Sequence, residues 1–219
     1  MNDLVFLEPN KIDAVPFTTS DVIAVWTQNS YRSIQRTIER QIARLEKFGR
    51  VRFEITPLRT KGGIQDHKVY HLNEAQATLL MTFLKNTDIV ADFKVELVRQ
   101  FFAMRQELTR RQILREAGKP VRRLLTDAVR DSGEDTRMHG HAYSIYTDLA
   151  YKYATGKVAR QLRKERGAAP KAVAADFLEA DEMERYNKTE ERITVLLDMG
   201  MQYDQIKGLI NYQIMTKAS

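Results

Sequence analysis

Residues 30–72 read SYRSIQRTIERQIARLEKFGRVRFEITPLRTKGGIQDHKVYHL, and this stretch decides the fold of the N-terminal half. Its apolar residues Ile34, Ile38, Ile42 and Leu45 step by four and three, with Tyr31 and Phe48 extending the stripe. That spacing predicts an amphipathic helix running to about Phe48. Asn29-Ser30 breaks the preceding segment and supplies the cap, and Gly49 closes the helix. Two extended segments follow, Val51 to Ile55 and Lys68 to Leu72, separated by residues 56–67, which are rich in turn formers. The expectation is a β-hairpin with a long basic loop.

The same stretch holds the charge of the chain. Between Ser30 and Tyr70 stand ten basic residues and four acids, Glu39, Glu46, Glu54 and Asp66, so 10 − 4 = +6, and the net charge of all 219 residues is also +6. A sequence pI near 9.4 favours a polyanionic partner. A basic helix leading into a basic hairpin is the outline of a winged helix, which lays a helix in the major groove of double-stranded DNA with a hairpin beside it.

With Tyr31, Ile34, Ile38 and Ile42 turned inward, the outward residues after the cap Ser30 are Arg32, Ser33, Gln35, Arg36 and Arg40. Arginine grips guanine bidentately, Gln pairs with adenine, and Ser and Arg also hold phosphates. The alternative is a solvated face. Arg32 and Arg36 sit near the positive end of the helix dipole, and Arg36 with Arg40 is a like-charge pair; a purely structural face favours neither. The hairpin adds Arg50, Arg52, Arg59, Lys61 and Lys68, and Gly62-Gly63 lets its tip approach a phosphate backbone. An exposed loop touching nothing is an equal reading for the tip.

Outward from this stretch, Leu4 to Leu7 reads as a small strand ended by Glu8-Pro9-Asn10, and Asp21 to about Thr27 as a helix. Asn73-Glu74 caps a helix from Ala75 to Lys85, and Asp88 opens a long one carrying Phe93, Leu97, Val98, Phe101, Phe102 and Leu108. Gly118-Lys119-Pro120 predicts a boundary, because both residue types break helices. Beyond it come helical patterns at Val121 to Ser132, His141 to Thr155, Lys157 to Glu165, Ala180 to Met199 and Tyr203 to Met215. The expected architecture is α+β and mostly helical: a winged-helix-like DNA-binding domain at 1–115, then an all-α module at 120–219.

A second basic stretch, Lys94 to Arg130, has ten cations against Glu96, Glu107, Glu116 and Asp127, again +6. A solvated surface is its better reading, with contact to flanking DNA or a partner as the alternative. In the last helices Val195, Leu196, Leu197, Met199, Met201, Ile206, Leu209, Ile210, Tyr212 and Ile214 exceed what one helix face needs. They either dimerise the chain, which would match paired half-sites, or close the module's own core.

Met138-His139-Gly140-His141 lacks further ligands at metal-binding spacing and reads as a turn capping a helix. His67 and His71 sit on one strand face, where phosphate contact or exposure suffices. Glu182, Glu184, Glu190 and Glu191 read as the solvated face of a charged helix. No Walker loop, nucleophile elbow or HExxH motif is present, so neither enzymatic activity nor a cofactor is expected. Cysteine is absent. No stretch predicts a membrane span or secretory signal, and a reducing cytoplasm is the expected compartment.

The segments VPFTTSDVIA (15–24), YRSIQRTI (31–38), KVYHLNEAQATLL (68–80) and VRQFFAMR (98–105) together resemble the Rha family of phage regulatory proteins. The resemblance implies a temperate-phage or prophage protein with an N-terminal DNA-binding winged helix related to those of phage antirepressors. It further implies regulation of phage genes in a bacterial host, and the family's founding trait is interference with infection of hosts lacking integration host factor. Residues 120–219 resemble C-terminal regions attached to some of these proteins. The alternative function is an antirepressor or host-takeover protein that acts by binding a phage or host regulatory protein.

Overall fold

In a computed structural model the chain is described over residues 3–60 and 63–217. Two compact units divide it: residues up to Glu8 with Ala14–Gln106, and Pro9–Asp13 with residues from Glu107 onward. The molecule is mostly helical, with one small three-stranded antiparallel sheet near the N-terminus.

Unit 1 begins with β1 (Phe17–Thr19), α1 (Ser20–Trp26) and α2 (Tyr31–Leu45), which ends in a single 3-10 turn at Glu46–Phe48. Each start has a side-chain cap. Thr19 Oγ1 accepts from the Val22 amide at 3.2 Å, and Ser30 Oγ accepts from the Ser33 amide at 3.2 Å. The hairpin β2 (Arg52–Thr60) and β3 (Gly63–Asn73) follows, then α3 (Glu74–Thr82), where Asn73 and Gln76 form a reciprocal capping box. The next helix, α4 (Asp88–Asp131), contributes its first part to this unit. Ile34, Ile38 and Leu45 of α2 pack with Ile23, Tyr70, Leu72, Leu80, Phe93 and Phe101 in one core. Ile42 is only partly buried, and Tyr31 and Phe48, expected to extend the buried stripe, are exposed.

Sheet order is β1-β3-β2. The register pairs Arg52 with His71 and continues unbroken to Thr60 opposite Gly63. The hairpin is therefore much longer than the expected segments, and its loop much shorter. Pro57 and Asp66, read as turn residues, face each other across the ladder. Proline fits because β2 is an edge strand. Leu4 to Leu7 forms no strand, only an isolated bridge between Phe6 and Phe17.

Unit 2 comprises the remainder of α4, α5 (Glu134–Arg137), α6 (Ala142–Thr155), α7 (Ala159–Glu165), a 3-10 turn at Ala174–Phe177, α8 (Ala180–Asp198) and α9 (Tyr203–Lys217). Leu125, Val129, Tyr146, Leu149, Leu162, Met183, Ile193, Leu197, Ile206 and Ile210 share its core. The turn before α6 places His141 at the cap position, with no side-chain cap bond.

Gly118-Lys119-Pro120 does not end a helix: α4 runs through it. Packing overrides the breaker residues. Leu125, Ala128 and Val129 are buried just beyond, and Asn187 Nδ2 donates to the Leu114 carbonyl at 2.8 Å just before. Gly118 serves that approach, since a Cβ there would lie 2.4 Å from Asn187 Oδ1. The α8 acids are likewise not one solvated face. Glu190 is fully buried, whereas Glu182 and Glu184 form ion pairs with Arg166 and with Arg110 and Lys188.

Candidate nucleic-acid interface

The α2 helix has two opposite faces. Ile34, Ile38 and Leu45 are buried, whereas Arg32, Arg36, Arg40, Arg44 and Lys47 step by four, four, four and three and are all exposed. Near the helix start, Ser30, Arg32, Ser33, Arg36, Thr37 and Arg40 surround an open depression of about 520 Å³. Five of the expected contact residues therefore come together. Thr37 joins them unforeseen; its hydroxyl donates to the Ser33 carbonyl at 2.9 Å, so only its i+4 spacing from Ser33 signalled the position.

Among the described residues, Arg32, Arg36, Arg40, Arg50 and Arg52 form no ion pair. Of two acids near in sequence, Glu39 is engaged elsewhere, accepting from the Tyr70 hydroxyl at 3.0 Å, while the exposed Glu54 lies 3.5 Å from His71 Nε2, without a hydrogen bond to it. The second basic stretch is the reverse. Arg99, Arg105, Arg110, Arg111, Arg115, Lys119, Arg122 and Arg130 each have a carboxylate partner between 2.5 and 3.0 Å. Lys94 instead donates to Asn86 at 3.1 Å. Two segments of equal formal charge thus differ in what they offer a ligand: one has bare guanidiniums, the other is largely neutralised by its own protein.

The remaining expected contacts sit apart from the depression. Gln35 is turned to the hairpin, where its Nε2 donates to the Lys68 carbonyl at 2.6 Å. Lys68 lies over the rings of Phe53 and Tyr70, 4.0 and 4.7 Å from their centroids, so aromatic faces already hold its charge. Arg50 and Arg52 are exposed beside and on β2. Lys61 and the side chain of Arg59 lie outside the described residues.

The two strand histidines are structural rather than exposed. His67 is buried, with Nε2 at 2.9 and 2.8 Å from the two carboxylate oxygens of Asp21 on α1 and its ring edge-on to Tyr31 at 5.2 Å. The imidazole ties β3 to α1 and to the first residue of α2. His71 stacks on Phe17 with centroids 4.5 Å apart. A single sequence carries no signal for either partnership, because Asp21 and His67 are 46 residues apart.

Among the described residues no helix is long and apolar enough to cross a membrane, and no three His, Cys, Asp or Glu side chains are grouped to hold a metal ion. Among curated proteins, none matches this chain. Residues 18–106, which contain α1, α2, the hairpin and α3, match the family model of the phage regulatory protein Rha. By that match, this N-terminal part of the chain, less than half of its length, is similar to the Rha family of phage regulatory proteins.

Proposed function

We propose that unit 1 is a winged-helix module that binds double-stranded DNA and regulates transcription of phage genes. In this reading α2 enters the major groove and the β2–β3 hairpin lies beside it as the wing. The observation that carries the reading is the unpaired arginine stripe of α2, set against the ion-paired cations of the second basic stretch. Bare guanidiniums four residues apart repel one another in the free protein and gain most when phosphates neutralise them. Ser30, Ser33 and Thr37 add short hydroxyl side chains to the same depression. The role is regulatory and non-catalytic, exercised in the cytoplasm of a bacterial host.

Two copies of the chain acting on paired half-sites complete the proposal. Val195, Met199 and Leu209 are exposed on α8, just beyond it and on α9, beside an apolar groove of about 330 Å³ that Val195, Leu196, Leu209 and Ile210 line. A light-scattering mass of about twice the 25.4 kDa chain is expected, and a monomer mass with Val195→Glu. A monomeric wild type removes the dimer from the reading. Electrophoretic mobility shift with random duplex tests the DNA proposal: binding is expected for the wild type and weakened binding for Arg32→Ala with Arg36→Ala. Unchanged binding by that variant refutes the assignment of α2.

A further inference from the structure

Within unit 2, residues of α4, α6 and α8 together with Val173 and Ala175 line a partly open cavity of about 270 Å³. Glu190 lies on its wall and is fully buried. Its Oε1 accepts from the Tyr186 hydroxyl at 2.6 Å and from Arg122 Nη1 at 2.8 Å. Its Oε2 is equally buried and accepts from no group among the described residues. A buried carboxylate oxygen without a donor, on a residue that lines a cavity, is costly, and its chemistry specifies what would relieve it: an N–H or O–H.

The other walls narrow the choice. The cavity holds two guanidiniums and a carboxylate, and the charges are compensated locally: Arg122 by Glu190, and Arg115 by Asp176 at 3.0 Å. An anion entering would meet the Glu190 oxygen, and a cation would meet Arg115 and Arg122. An uncharged molecule with a donor beside an acceptor offends neither. The rings of Tyr151 and Tyr186, with centroids 4.5 Å apart, supply an aromatic surface, and Val173 stands exposed at the rim. The volume equals that of about nine waters at about 30 Å³ each, which is room for a ring system.

We propose that this cavity binds an uncharged planar heterocycle whose edge carries an N–H donor beside a carbonyl acceptor, the chemistry of a nucleobase. The N–H bonds Glu190 Oε2, the carbonyl accepts from the Arg122 guanidinium, and the ring rests against Tyr151 and Tyr186. Guanidinium to carbonyl and carboxylate to N–H are the pairings by which side chains ordinarily read base edges.

Isothermal titration of the full chain with uracil and with guanosine tests this, with inorganic phosphate and methylammonium as charged controls. Saturable binding of at least one of the two uncharged ligands, and of neither control, is expected. In Glu190→Gln the carbonyl oxygen stays with Tyr186 and Arg122, so an NH2 replaces Oε2 and confronts the ligand with a donor. Affinity should fall about ten- to a hundredfold. Val173→Trp fills the rim from an exposed position; it should abolish binding without lowering the melting temperature of the free protein, and it keeps the test intact if Glu190→Gln does not fold. Absence of binding by both uncharged ligands, which would mean that water alone occupies the site, overturns the proposal. So does binding of phosphate or methylammonium instead, or undiminished affinity in the folded variants.

Discussion

Replacing Arg36 by alanine should make the protein more stable and a poorer DNA binder, and the two effects are separable. Arg36 is exposed, forms no ion pair among the described residues, and has Arg32 and Arg40 four residues to either side. Like charges at that spacing cost about 0.2–0.5 kcal/mol each on an isolated helix, so removing two such pairs returns about 0.4–1 kcal/mol. Alanine is also the better helix former. For a unit of about 100 residues, 1 kcal/mol moves the melting midpoint by roughly 4–8 °C, which places the rise at about 2–8 °C. The same variant loses one phosphate contact, so the slope of log K against log[salt] should shrink by about 0.9. Calorimetric melting and fluorescence anisotropy across a salt series measure the two. A midpoint that falls by several degrees would show that Arg36 holds a structural contact. Unchanged anisotropy would remove it from the DNA face. Either result refutes the reasoning.

Other perturbations test the supports. His67→Ala leaves the Asp21 carboxylate without its imidazole and should cost about 1–3 kcal/mol in urea unfolding; a loss below 0.5 kcal/mol would show that this pair does not hold β3 to α1. Gly118→Ala should destabilise by about 1–3 kcal/mol through the clash with Asn187, despite alanine's helix propensity, and Asn187→Ala in the same chain should recover most of it. If Gly118→Ala is stabilising, the close approach of α8 to α4 is wrong. Glu134 is held below the ordinary carboxyl range of 4.5 by hydrogen bonds from Arg137, with burial opposing and the Tyr146 hydroxyl adding a further bond. A depressed carboxyl contributes stability that is present above its unfolded value and lost as pH falls through the folded one. Glu134→Gln should therefore flatten the decline of stability below about pH 4.5, measured by denaturant midpoints. An unaltered acid limb would contradict it.

The α2 helix was legible because three forces agreed at Ser30 to Gly49: the apolar step, the hydroxyl cap and the closing glycine. The hairpin was legible in kind but not in length. Pro57, Gly63 and Asp66 are turn formers in isolation, and only the edge position of β2 and the pairing with β3 make them strand residues. Breaker residues at 118–120 misled in the same way, since local propensity cannot register that Asn187 needs a notch in α4. Arg32, Arg36 and Arg40 were placed correctly on the outward face by periodicity alone. Gln35 was not: about a quarter-turn from the arginines, it meets a carbonyl 33 residues away. Charge counting had a deeper limit. Residues 30–70 and 94–130 both sum to +6, and only the folded ion pairs, such as Arg110 with Asp181, distinguish bare from neutralised charge.

That distinction can be measured. Affinity for a random duplex is followed across salt concentration for three proteins: wild type, Arg32/Arg36/Arg40→Ala, and Arg105/Arg110/Arg130→Ala. The account predicts that the α2 variant loses about 2.7 from the log–log slope, three contacts at about 0.9 each, while the ion-paired control keeps the wild-type slope. Equal slopes for the α2 variant and the wild type, or an equal loss in both variants, would contradict it.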